Sequence, residues 1–553
     1  MLSVRKKIND YENFAYKVVI VIASYLSFVL FYLTYDVTQS PDFEKYIDYF
    51  YYYNSEINNT GLEQGNYYFF LCYLFTVIIQ FFKSNLTVNE LINFSVHFAN
   101  NFIFLFGIFG FYKLLMIKKF NKFSTFLVLT ISIFLPASII LRLTLKPEIL
   151  VFALLGWFLY LLEKFYLTKS NFALIQLIVL ASLIFTSKIS IAFMFGIFIF
   201  FKIQGKYRFL ISKSYFKYLI FFMVLLIVLI IENNFHNGML LNEVKHNENY
   251  NNVAELNVIT QINSEDLINN PNRYFHSNSF ISITLFDTFN DFFMLYWNSE
   301  YTELNKDRKD FFNTNSVNNN SPFKVRFDKE SKVFSFTGNF DVRWNDSDYI
   351  NETRMRFSFI ASIMFYALIV IVGLSSKENK LFIFSPLIGV ITVITSALGY
   401  FGTKNFDPLV GDSFKMFYYS FFVILSFIFI FSEIFKINKF GRKTLSLLLI
   451  IMFLFFIGFP FSYSQDVEED LIYKNSLLPV CKFNEIFINR IYSIESEVSC
   501  KEIKSDSEKF TPVKIIDDVT FKINIKNIPF VNILLGLIML YFPVFKYVKN
   551  WRK

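Results

Sequence analysis

Long, uninterrupted apolar runs restrict the fold of this chain more than any other feature. VVIVIASYLSFVLFYL near the start and FFMVLLIVLII before the middle are continuous and do not alternate. Runs of about 18 or more apolar residues suit a membrane span and exceed what a soluble core helix needs. Lipid admits only helices and closed barrels, and a lipid-exposed barrel strand would alternate apolar and polar residues. The expected fold class is therefore all-α and integral to a membrane. With 54% hydrophobic residues over 553 positions and a mean hydropathy of +0.41, the chain accommodates about twelve transmembrane helices. The first run follows Arg5, Lys6 and Lys7 but has no small-residue cleavage pattern, so it reads as a retained anchor helix.

Charge placement orders the spans. The formal net charge of +8 is spread over short Lys/Arg clusters beside the runs, which is the positive-inside signal and not a nucleic-acid-binding stripe. The topology turns on Tyr67–Phe82, YYFFLCYLFTVIIQFF. If that segment crosses the membrane, Lys118, Lys119 and Lys122 fall outside and every later basic loop inverts. If it lies along the outer, periplasmic face, all the clusters share one side and both termini are cytoplasmic. The second arrangement is the expected one.

The expected organisation has five parts. An N-terminal membrane module, 1–231, contains an acidic external loop (35–66), an interfacial helix (67–82) and a third span over about Phe123–Leu141. A large external subdomain follows over 232–356, then a second membrane module over 357–461. A second external loop covers 462–527, and the last span with its basic cytoplasmic tail occupies 528–553. The two external regions carry most of the polar sequence. Cys481 and Cys500 share the second one, where an oxidising compartment permits a disulfide. Cys72 reads as packing inside an apolar helix.

Three constellations carry chemistry. YDVTQSPDFEKYIDYF places Asp36, Asp42, Glu44 and Asp48 just after the first span. A carboxylate there can take a proton from an acceptor hydroxyl or hold a divalent metal beside a phosphate; it can equally be a solvated acidic loop. RLTLKPE puts Arg142, Lys146 and Glu148 on the outer side, against the positive-inside trend. Binding an anionic lipid head group explains such cations, and snorkelling from a span end is the alternative. Lys188, at the tip of a tight hairpin, invites the same two readings, and Lys404 in the GTKNFDPLVGD loop is a weaker candidate. YFHSNSFISITLFDTFNDFFMLYWN, with His276, Asp287, Asp291 and Trp297, has the spacing of an amphipathic interfacial helix. The four histidines show no metal-ligand spacing, and no nucleotide-binding or nucleophile-elbow motif is present.

The order of these parts resembles the GT-C class of membrane glycosyltransferases, which includes protein O-mannosyltransferases and aminoarabinose transferases. SPDFEKY is similar to their acidic loop and NYYFFLCYLF to their membrane-hugging helix. LRLTLKPEILVFALLGWFLYLLEKF is similar to the Arg-x-x-x-Pro-Glu element that opens a span, and FTSKISIAF to their Lys-bearing hairpin. The likeness covers about Lys17–Phe201. Their usual Asp-Glu pair reads Asp-Phe-Glu here, and their His-Pro-Pro element is absent. The resemblance implies an inverting transfer of sugar from a polyprenyl-phosphate donor to a glycan, lipid or protein acceptor outside the bacterial cytoplasmic membrane. It implies Asp42 as base with Asp36 in reserve, Glu44 as its orienter or a metal ligand, and Arg142, Lys146 and Lys188 at the lipid phosphate.

Two other readings compete. PDFEKYIDYF and LEQGNYYFF also resemble Wzy- and EpsG-type polysaccharide polymerases. A lipid or oligosaccharide transporter would place charges mid-span, facing a cavity, whereas the unusual charges here gather near span ends.

Overall fold

The protein is described by a computed structural model covering residues 46, 48–55, 66–82, 88–133, 135–143, 145–188, 216–237, 288–289, 324–328, 333–337, 352–391, 419–436, 439–457, 521–522 and 524–537. These residues are helical apart from one antiparallel two-stranded hairpin. The hairpin pairs β1 (Lys324–Asp328) with β2 (Val333–Thr337), Lys324 facing Thr337 and Asp328 facing Val333. It is a departure from the all-α expectation, and it falls in the large polar region, where alternating sequences such as KVRFD and VFSFT suit a strand with one face covered.

The first half contributes α1 (Asp48–Tyr53), α2 (Asn66–Phe82), α3 (Val88–Ile117), α4 (Lys122–Ile133), α5 (Pro136–Leu143), α6 (Glu148–Thr168), α7 (Asn171–Ser187) and α8 (Phe216–Asn237). Among the described residues, Phe94–Ile117, Glu148–Thr168 and Lys217–His236 are long and apolar enough to cross a membrane. Their environments differ. The apolar window of α6 is 83% buried, which makes it the central helix, whereas that of α8 is only 11% buried. The side chains α8 turns outward include Leu219, Ile220, Met223, Val224, Ile227 and Ile231. A continuous apolar face of that kind suits lipid and is poorly suited to water.

α3 and α6 run parallel in backbone contact. A Cβ on Gly107 would lie 2.5 Å from the Ala153 Cα, and one on Gly110 would lie 2.7 Å from the Trp157 amide nitrogen. One on Gly156 would lie 2.8 Å from the Gly107 carbonyl oxygen. Small residues at such contacts let membrane helices gain dispersion energy where lipid supplies no hydrophobic drive. The Trp157 indole N–H donates to the Phe106 carbonyl at 3.0 Å. At the far end of this pair Lys118 meets Glu163 at 3.0 Å, both buried. Two parallel helices need a return between them, and α4 and α5 provide it.

That return is not one helix. The sequence suggests a continuous third span, but the structure breaks it between Ile133 and Pro136. Proline lacks an amide hydrogen and disfavours helical geometry in the residue before it. The exposed backbone groups are taken up nearby. The Arg142 guanidinium reaches back to the Ile133 carbonyl at 2.5 Å, and the Ala137 amide donates to the Phe289 carbonyl at 3.1 Å.

The second half contributes α9 (Glu352–Ser375), α10 (Lys380–Ile383), α11 (Ser420–Ile434) and α12 (Lys439–Ile457), with further helical stretches over 385–391 and 530–537. The 380–391 segment packs antiparallel to α11: Ser426 Oγ donates to the Ile383 carbonyl and Ser385 Oγ to the Phe422 carbonyl. The halves join at both ends. Phe120 meets Phe429 at 6.1 Å, and Lys436 sits over the Phe120 ring at 3.6 Å, on the side of the Lys118–Glu163 pair. Phe152 meets Phe421 at 5.6 Å towards the opposite side. Thr288 and Phe289, from the large polar region, are buried among α5, α9 and α11.

The backbone contact at Gly110 gives the first prediction. Gly110→Val drives a branched side chain into main-chain atoms that cannot move aside. It should lower stability by about 1–3 kcal/mol, read as a fall in the thermal unfolding midpoint in detergent. A variant that melts with the wild type would refute the α3–α6 packing.

Candidate functional site

At the α6 N-terminus the chain collects charge in a confined place. Arg142 closes α5, and Lys146, Pro147 and Glu148 lead into α6. Arg142, Lys146 and Glu148 are each at most 6% exposed. Lys188 arrives from the C-terminal end of α7 and meets Glu148 at 2.9 Å. Helix polarity explains this pairing. Glu148 stands in the first turn of α6, where the N-terminal dipole favours an anion, and Lys188 caps the C-terminus of α7, where it favours a cation. α6 and α7 form an antiparallel hairpin turning at Lys169, which has the left-handed φ of 51°, so these two ends meet. The Glu148 carboxylate is 2% exposed and the Lys188 side chain 19%, so the lysine is the more accessible of the two.

Arg142 is used differently from a plain phosphate ligand. Its Nε donates to the Ser138 carbonyl at 3.2 Å and its Nη2 to the Ile133 carbonyl. The guanidinium also lies over the Phe104 ring at 4.9 Å. These contacts close the C-terminal end of α4, whose last carbonyls have no partner within the helix. A second chain of bonds holds the turn from the other side. The Tyr68 hydroxyl donates to Asn100 Oδ1 at 2.8 Å, and Asn100 Nδ2 donates to the Arg142 carbonyl at 3.0 Å.

α1 and α2 cover this end of the bundle. Tyr49 stacks on Phe69 at 4.1 Å, and Tyr53 meets Phe70 and Tyr73 edge-on or tilted. α2 packs against α3, Tyr68 touching Asn100 and Phe75 touching Phe98 and Phe102. Its far half is tied to the same end of the bundle. Tyr73 donates to the Lys522 carbonyl, and Gln80 accepts the Phe521 amide. Phe81 and Phe82 beyond them are exposed.

The 521–532 segment fastens this end together. Asn527 Nδ2 donates to the Tyr52 carbonyl. The Glu232 carboxylate takes the amides of Val531 and Asn532 and the Asn532 side chain, at 2.7, 3.0 and 2.8 Å. Those are the first amides of the 530–537 stretch, so Glu232 caps it as an anion at its positive end. The Tyr52 hydroxyl lies 2.6 Å from His236 Nδ1. Burial pushes the Tyr52 phenol up to about 12, so it stays protonated and able to donate to that nitrogen. Tyr68, Asn100, Glu232 and His236 were not singled out from sequence. The available signal was polar residues inside or bordering apolar runs, which are costly in lipid unless partnered.

Asp36, Asp42, Glu44 and Lys404 lie outside the described residues, as do His276, Asp287, Asp291, Trp297, Cys481 and Cys500. Asp48 opens α1. Cys72 is a buried free thiol. Among the described residues no group of three or more His, Cys, Asp or Glu side chains is arranged to hold a metal ion. The chain matches no protein-family model, no curated protein and no solved structure.

Removing one member of a buried pair strands the other, at about 3–5 kcal/mol. Lys188→Met should therefore destabilise the protein strongly, while Glu148→Gln with Lys188→Met should lose clearly less than the sum of the single changes. A double-mutant cycle of unfolding midpoints measures this, and additive losses would show that the two side chains do not interact.

Proposed function

We propose that this protein transfers a sugar from a polyprenyl-phosphate donor to an acceptor at the outer face of the bacterial cytoplasmic membrane. The observation that carries the reading is the gathering of Lys146, Glu148 and Lys188 at one end of the bundle, beneath α1 and α2. Buried cations at a helix end suit a lipid-linked phosphate. Asp36, Asp42 and Glu44 lie in the acidic segment that precedes α1 in the chain.

On this reading the chain has about twelve spans, with both termini in the cytoplasm. The Glu148 end faces outward and the Lys118–Glu163 end faces inward. α2 lies along the outer membrane surface, with Phe81 and Phe82 in the interface. Asp42 takes the proton of the acceptor hydroxyl, with Asp36 as the reserve choice and Glu44 orienting the base or holding a metal. The acceptor oxygen attacks the anomeric carbon as the bond from that carbon to the phosphate oxygen breaks. The electron pair leaves with polyprenyl phosphate, whose charge Lys146 and Lys188 stabilise. Attack opposite the leaving group inverts the anomeric centre. Arg142 holds the turn that carries Lys146 and Glu148, and Lys404 of GTKNFDPLVGD is a further candidate for binding the donor.

The test is turnover of a panel of polyprenyl-phosphate sugars by the purified protein in lipid. Asp42→Asn should abolish donor consumption while the unfolding midpoint stays at the wild-type value, and full activity in that variant would remove Asp42 from the role. If the wild type consumes no donor, the lipid-donor reading fails and diphosphate-linked oligosaccharides become the substrates to try.

A further inference from the structure

Glu148 holds more hydrogen-bonding capacity than the fold uses. One carboxylate oxygen, Oε1, meets Lys188. The other, Oε2, is buried and makes no hydrogen bond to any described residue. Leaving a buried charged acceptor unmatched is expensive, and a native structure retains such an atom where something else completes it. A structural ion pair would not need this arrangement. The dipole of α6 and the Lys188 ammonium stabilise the carboxylate through one oxygen, and the second adds only cost until a donor reaches it.

The character of the missing partner follows from the neighbours. Oε2 accepts only, so its partner must be an O–H or N–H. The Lys188 ammonium has three donors and can bridge Glu148 to an anion next to it. A ligand with a phosphate for Lys188 and a hydroxyl within reach of Oε2 satisfies both groups together. On the lipid-donor reading, on which this inference rests, that hydroxyl belongs to the sugar attached to the phosphate. We propose that Glu148 is a specificity-determining residue, its Oε2 accepting a hydroxyl of the donor sugar while Lys188 holds the adjoining phosphate. A buried acceptor that goes unmatched discriminates strongly against a ligand lacking the group. The site would thus reject both the bare lipid phosphate and sugars without that hydroxyl.

The test measures binding of polyprenyl phosphate, a polyprenyl-phosphate sugar and its monodeoxy analogues to the full chain in nanodiscs. Removing one particular hydroxyl should weaken binding to the wild type by about tenfold to a hundredfold. In Glu148→Gln, checked for folding by its unfolding midpoint, that penalty should shrink, because a neutral amide forms a weaker bond. If every deoxy analogue binds like the parent sugar, or if the penalty is undiminished in Glu148→Gln, Glu148 does not select the sugar, while the lipid-donor reading stands. The wild-type deoxy series alone decides the matter if the variant fails to fold. If the wild type binds neither the glycolipid nor polyprenyl phosphate, the donor reading itself falls and takes this inference with it.

Discussion

The arrangement depends on α3 and α6 touching backbone to backbone. Gly107 faces Ala153, Gly110 faces Gly156 and Trp157, and Lys118 meets Glu163. The offset between partners hardly changes along the pair, so the helices are parallel and in fixed register. In lipid this contact rests on dispersion and close approach, with no gain from expelling water. One buried ion pair at the far end sets its register, since sliding by a turn would separate two charges in a low-dielectric place. Because α3 and α6 are parallel with this offset, the start of α6 lies near the level of Asn100 on α3. Asn100 can then reach the Arg142 carbonyl, and Glu148 is carried to the end that α1 and α2 cover.

Charge in this bundle follows the helix ends. Glu148 sits at the start of α6, Lys188 at the end of α7, and Glu232 against the first amides of the 530–537 stretch. Arg142 reaches the last carbonyl of α4. Each charge meets a partial charge of opposite sign supplied by unpaired backbone groups, which lowers the cost of holding it out of water. The Coulombic logic that makes these residues tolerable also limits what they can do. Arg142 is committed to the carbonyls of Ser138 and Ile133, whereas Lys188 meets the Glu148 carboxylate.

Much of this could be read from the sequence, and the reasons for the remainder are physical. Continuous apolar runs located α3, α6 and α8, because length and hydropathy are properties of a single segment. The cations of RLTLKPE and the lysine of FTSK stood out because the expected topology puts them on the outer side of a span, and the structure brings Glu148 and Lys188 together. The break in the third span was signalled by Pro136, but a continuous helix fitted the hydropathy equally well. The link from Tyr68 through Asn100 to Arg142 joins residues far apart in sequence and depends on how α2 and α5 pack against α3. Nothing in one segment specifies such packing. The β hairpin was hidden by strands of only five residues within a long polar region.

The break between α4 and α5 ties these observations together. Non-helical backbone at membrane depth survives only where protein encloses it. Here the enclosure comes from two directions. Arg142 takes the carbonyl left at Ile133, and Phe289, from the large polar region, gives its carbonyl to the amide of Ala137. Thr288 and Phe289 in turn bind the second half: the Thr288 amide donates to Ser362 Oγ, the Thr288 hydroxyl to Tyr366, and Phe289 packs on Phe365 and Phe427. One interrupted helix is thus sealed on one side by the residue that supports the Lys146–Glu148 turn and on the other by a segment gripping α9 and α11. A shift of α9 against α11 would pull on Phe289, loosen the start of α5 and reach Glu148 through Arg142. The large polar region and the second half are therefore mechanically joined to the charged end of the first half, although neither contributes a described side chain to the Glu148–Lys188 pair.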